Sequence, residues 1–82
     1  MSTVRVLLFA AARDLAGADA VTVPVAPPVT VGGVRRGLAV ACPALAGLCA
    51  RSRLAVDLAF ADDADPVRDG AEVALIPPVS GG

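Results

Sequence analysis

Apolar and β-branched residues fill Thr3–Ala10 and are interrupted only by Arg5. Beyond that arginine both faces of an extended chain are apolar, which predicts a central strand covered on both sides. Ala10–Ala16 can make one or two helical turns, and Gly17 behind it can take the left-handed conformation that ends a helix. Asp19–Val25 alternates around Val21, Val23 and Val25 and reads as a second strand. Pro24 cannot donate to a ladder, so that strand belongs at a sheet edge. Pro27-Pro28 ends it.

Thr30 then offers a helix N-cap. Val31, Val34, Leu38, Ala41 and Leu45 recur at helical spacing, with Arg35 and Arg36 on the wet side. Gly32, Gly33 and Gly37 weaken this helix, each by about 1 kcal/mol relative to alanine. Pro43 stops it by Cys42. Ala44–Ser52 reads as an irregular connector. Leu54, Val56, Leu58 and Phe60 alternate with Ala55, Asp57 and Ala59, which predicts one half-buried strand. Asp62-Asp63-Ala64-Asp65-Pro66 reads as a solvated acidic loop, Asp69-Gly70 as a turn, and Glu72–Ile76 as the last strand.

The order is strand, strand, helix, strand, strand, without internal repeats. One main helix must cover one face of a single mixed sheet, which is the α+β layout of a ubiquitin-like β-grasp. Its helical crossover is right-handed where it joins parallel strands. Residues 1–76 make one small domain, and 77–82 a tail beyond it. First and last strands are parallel neighbours in such a sheet. Phe9 and Ile76, which end them, should therefore lie together at the base of the tail.

Composition removes whole classes of function. The net charge of −1 leaves no basic footprint for nucleic acid. No apolar run reaches the length of a membrane span, and no charged segment followed by an apolar one marks a signal peptide, so the expectation is a cytoplasmic protein. Cys42 and Cys49 fit no metal spacing and no Cys-x-x-Cys motif, and read as reduced, half-buried apolar residues. Histidine is absent, and with it the commonest general base and metal ligand. Lysine is absent too: all seven basic residues are arginine, so no side-chain amine serves Schiff-base chemistry or isopeptide modification. No Gly-rich phosphate loop follows a strand, and Asp62, Asp63 and Asp65 share one solvated loop. Hydrophobic residues reach 56%, and although much of this is alanine, the surplus predicts an exposed apolar patch and a protein partner. Phe9 and Ile76 are candidates for that patch, with Phe60 as a third.

The chemistry that remains is at the carboxyl end, Pro77-Pro78-Val79-Ser80-Gly81-Gly82. Tandem prolines favour an extended exit from the domain. Glycine has no Cβ, so a Gly-Gly tip can enter a narrow active site. A terminal carboxylate is ionised at neutral pH and is a poor electrophile. A partner must activate it, most simply as an acyl-adenylate, which a sulfur donor can convert to a thiocarboxylate. That group is nucleophilic through sulfur and returns to carboxylate once sulfur is transferred.

Three blocks carry a family resemblance: Val4-Arg5-Val6-Leu7-Leu8-Phe9-Ala10, Ala12-Arg13-Asp14-Leu15-Ala16-Gly17, and Asp69-Gly70-Ala71-Glu72-Val73 through to Gly82. In order and spacing, over nearly the whole chain, they resemble the small subunits of molybdopterin synthase. The resemblance implies a sulfur carrier of molybdenum-cofactor biosynthesis with a β-grasp fold and no permanently bound cofactor. A separate, ubiquitin-activating-like enzyme would use ATP to adenylate Gly82, and a sulfur donor would make the thiocarboxylate. Pro77, Pro78, Val79, Ser80 and Gly81 would thread into the large synthase subunit of a heterotetramer. That subunit, which supplies the catalytic residues, converts precursor Z (cyclic pyranopterin monophosphate) to molybdopterin. The chain departs from the family at Asp57, where asparagine is common, and at Gly33, where glutamate usually completes a capping box. Other readings share the fold: a sulfur carrier for thiamine or cysteine biosynthesis, a ubiquitin-like protein modifier conjugated to lysines, or an interaction module with an inert tail.

Overall fold

The computed structural model describes residues 2–78. Its elements are β1 (Ser2–Leu8), α1 (Ala10–Ala16), β2 (Ala20–Val25), α2 (Val31–Ala41), a 3-10 turn (Pro43–Leu45), α3 (Ala46–Arg51), β3 (Arg53–Val56), β4 (Ala59–Ala61) and β5 (Val73–Ile76). One mixed sheet has the strand order β2-β1-β5-β3-β4. β1 and β5 run parallel, with Val6 opposite Val73 and Leu8 opposite Leu75, and the other pairs are antiparallel. This is the expected ubiquitin-like β-grasp. β2, with Pro24, lies at an edge as the proline requires.

The core is a single cluster in which Val4, Val6, Leu8, Val23, Leu54, Val73 and Leu75 from the sheet meet Val31, Val34 and Leu38 from α2. β1 is not covered on both sides. Val4, Val6 and Leu8 are buried, Thr3 and Arg5 are exposed, and Leu7 is half-buried. One helical layer can cover only one face of a sheet, so the second apolar row of β1 faces outward.

Local chemistry sets the helix ends. Gly17 closes α1 at φ 69° and donates to the Arg13 carbonyl at 2.8 Å. Thr30 caps α2, its hydroxyl oxygen accepting from the Gly33 N–H at 3.1 Å, so half of the capping box survives without the glutamate. The acidic loop supplies more of the cap. Val31 and Gly32 donate to the carbonyls of Asp65 and Asp63, each at 2.9 Å. The loop is therefore tied to the helix through its backbone while its carboxylates stay exposed.

Three further expectations are corrected. The connector Ala44–Ser52 is a 3-10 turn followed by α3, with Leu45, Leu48 and Cys49 buried in the core. Arg35 is half-buried rather than wet. Its guanidinium donates to the carbonyl of Cys49, to that of Ser52 at 2.7 Å, and to Asp63 at 3.1 Å, which closes the C-terminal end of α3. The alternating run Leu54–Phe60 is two strands joined by a tight turn at Asp57 and Leu58, with φ values of 50° and 70°. Positive φ at two successive residues is the hairpin geometry that matches strand twist. Val56 then pairs with Ala59, and Ala55 with Phe60. Paired residues share a face, so the turn sends Leu58 and Phe60 to the face opposite Leu54.

Candidate docking surface at the base of the tail

That change of face brings Phe60 to the uncovered side of the sheet. Leu7 of β1 pairs with Ala74 of β5, which pairs with Ala55 of β3, which pairs with Phe60 of β4. Two residue pairs further toward the tail, on the same face, stand Ile76 and, across from it on β3, Arg53. Phe9 follows β1 directly. These side chains frame a groove of about 330 Å³. Ala55 and Ala74 form its floor, Leu7 and Phe9 stand on the β1 side and Leu58 and Phe60 on the β4 side, with Ile76 at the tail end and Glu72 at the far end.

The exposure of these groups is unusual for their size. Phe9 is 47% exposed, Phe60 56% and Leu58 91%, and both phenylalanines of the chain thus stand outside the core. All three apolar residues expected at a patch, Phe9, Phe60 and Ile76, line the same groove. β5 leaves the groove directly into Pro77, which is half-buried, and Pro78, which is exposed. Val79, Ser80, Gly81 and Gly82 lie outside the described residues.

The sequence reading missed Leu7, Ala55, Leu58 and Ala74 as groove residues and Arg53 as its flank. Phe60 is legible from the apolar surplus, but the turn that sends Leu58 and Phe60 outward is hidden in the alternating pattern. Asp57 is a residue that tolerates the left-handed region, and it was the available signal. Its carboxylate accepts from the Glu72 N–H at 3.0 Å and from the Arg68 guanidinium at 2.9 Å. The Glu72 backbone hydrogen bond, helped by Arg68, holds the Asp57 carboxyl below the usual carboxylate range. The hairpin is thereby tied to the start of β5.

Elsewhere the chemistry is quiet. Burial pushes the Cys49 thiol up, against a smaller opposing pull from Arg35, so it is a poor nucleophile. A second concavity, of about 440 Å³, lies between β1 and the 67–72 segment and mixes Thr3, Arg5, Thr22 and Arg68 with Asp69 and Glu72. Among the described residues, no group of three His, Cys, Asp or Glu could hold a metal ion. Among them, too, no single helix is long and apolar enough to cross a membrane.

The profile of the ThiS family matches residues 6–82. The chain belongs to the ThiS family. Among solved structures it is similar to small archaeal modifier protein 1 of Haloferax volcanii, at 30% identity over 99% of this chain and 100% of that one, with a TM-score of 0.85. A Pyrococcus furiosus protein assigned as molybdopterin converting factor subunit 1 matches at 22% identity over 96% of this chain and 100% of that one, with a TM-score of 0.82. A chain of the protein-protein complex of subunits 1 and 2 of the molybdopterin-converting factor of Helicobacter pylori matches at 20% identity over 99% of this chain and 100% of that one, with a TM-score of 0.68. The last two likenesses are of fold. The fold is thus one shared by molybdopterin converting factor subunits and ubiquitin-like modifiers.

Proposed function

We propose that this chain is a sulfur carrier that acts as the small subunit of molybdopterin synthase. The observation that carries the reading is the position of the apolar groove. Parallel pairing of β1 with β5 sets Phe9 and Ile76 at the root of the segment that becomes Pro77-Pro78. A partner docked on Phe9, Phe60 and Ile76 is held where the tail emerges, so Pro77–Gly81 can thread into its active site.

The chemistry then belongs to Gly82. On a ubiquitin-activating-like enzyme the terminal carboxylate oxygen attacks the α-phosphate of ATP, and pyrophosphate leaves. Sulfide supplied by the sulfur donor displaces AMP from the acyl-adenylate and leaves the thiocarboxylate. In the cytoplasm, within a heterotetramer with the large synthase subunit, the thiocarboxylate sulfur attacks precursor Z, and water then cleaves the acyl–sulfur bond, which leaves the sulfur on the substrate and returns the carboxylate. The catalytic residues lie on the large subunit, and this chain alone turns nothing over.

A second reading has a specific support: 30% identity, over 99% of this chain and 100% of that one, to small archaeal modifier protein 1. A protein modifier shares the adenylation step but ends in an isopeptide bond to a lysine of another protein. The decisive experiment is a reconstituted assay with the large subunit and precursor Z. Deleting Gly82 leaves the domain folded, since β5 ends at Ile76. The deletion abolishes molybdopterin formation because the reactive end is one residue short. Converting Gly81 to a bulkier residue cripples the reaction by steric exclusion. Full activity of the Gly82 deletion overturns the carrier reading.

A further inference from the structure

Arg53 opens β3 on the uncovered face, opposite Ile76, and its guanidinium carbon stands 4.1 Å from the centroid of the Phe60 ring. Among the described residues, no carboxylate forms an ion pair with it, as with Arg5, Arg36 and Arg51, and of these four arginines it is the one that stands over an aromatic ring. Stacking on Phe60 restricts a side chain that otherwise loses much freedom on binding, and leaves the planar N–H fork free at its edge. The result is an ordered, unpaired cation beside an apolar groove, at the end from which the tail leaves. Glu72 lies at the opposite end of the groove. The two ends therefore carry opposite charge, and an apolar surface between fixed charges of opposite sign accepts its partner in one direction only.

We infer that Arg53 is a specificity-determining contact: it receives a carboxylate from an apolar, acid-bearing segment of the partner protein that fills the groove, and so fixes the direction in which the tail is presented. This rests on the docking role of the groove proposed above. The rival explanation is that Arg53 only shields Phe60 from water with its aliphatic stem. Shielding needs the stem and not the charge, so the two separate on charge.

The test is the affinity of the full-length chain for the large synthase subunit of the same organism. Arg53→Gln, which keeps most of the stem, weakens binding about tenfold or more, and Arg53→Glu weakens it further, to about a hundredfold, because it sets like charges together. Arg53→Lys falls between wild type and Arg53→Gln, since it keeps charge and loses the fork. Affinity falls less steeply with added salt for Arg53→Gln than for wild type. Arg53 is exposed, and unchanged urea unfolding of each variant confirms that the comparison is between folded proteins. Wild-type affinity in Arg53→Gln and Arg53→Glu overturns the inference. So does loss of the Arg53 effect when the chain's terminal carboxylate is amidated, because the acid would then be the chain's own. Ile76→Asp is the control for the groove. If it abolishes binding while the Arg53 variants bind normally, the groove stands and the Arg53 contact falls. If Ile76→Asp binds normally, the docking reading itself falls and takes the Arg53 contact with it.

Discussion

At the residue scale the fold turns on a few contacts that override intrinsic preference. Gly37 costs α2 about 1 kcal/mol of helix propensity relative to alanine. A Cβ there would nevertheless stand 2.6 Å from Val23 Cγ1 and 3.4 Å from the Pro24 carbonyl oxygen. Val23 is buried and β-branched, with little freedom to turn away. Overpacking of this kind costs about 1–3 kcal/mol, so it wins. Gly37→Ala should lower the urea midpoint of unfolding, against the helix-propensity expectation of a rise. Asp57 gives a pH signature. Its carboxyl is held below the ordinary carboxylate range by the Glu72 N–H and Arg68, so its contribution to stability is present above the unfolded-state value of about 4. That contribution is lost as pH falls through the lower folded value. The gap in unfolding midpoint between wild type and Asp57→Asn should be widest near neutrality and close on acidification below about pH 4. Thr30 and Gly17 were legible because capping is local chemistry. Arg35 was not, because the carbonyls and the carboxylate it meets lie at Cys49, Ser52 and Asp63.

At the element scale, three of the four strands and the main helix expected from periodicity are present, with boundaries that moved by one or two residues, and the fourth is split into β3 and β4. The misreadings have one cause each. Period-two alternation passes through a two-residue hairpin turn without a break in the sequence pattern, so β3 and β4 read as one strand. The segment after Pro43 is short and rich in alanine, too brief to show a helical period. Yet Leu45 is fully buried and packs with Leu48 and Cys49 into the core. Leu45→Ala should cost about 2–5 kcal/mol, a large part of the stability of a domain this small. Thermal or urea unfolding checks it, and a near-neutral result would contradict the burial of the turn that leads into α3.

At the scale of the whole molecule, one topological fact organises the function. Placing first and last strands side by side gathers the apolar ends of both at the point where the chain leaves the sheet. The sequence pointed to Phe9 and Ile76 through this topology, and to Phe60 through the apolar surplus. The alanine floor between them emerged only from the register of β1, β5, β3 and β4. In the proposed function the groove holds a partner, and the tail delivers the reactive group. The account stands or falls on that group. The most direct measurement is the intact mass of the protein isolated from its own host, with and without the gene for the adenylating enzyme. The account predicts a species in which one terminal oxygen is replaced by sulfur, reactive toward alkylating agents and absent without that enzyme. A terminus found only as the free carboxylate, or only in isopeptide linkage to lysines of other proteins, would contradict it.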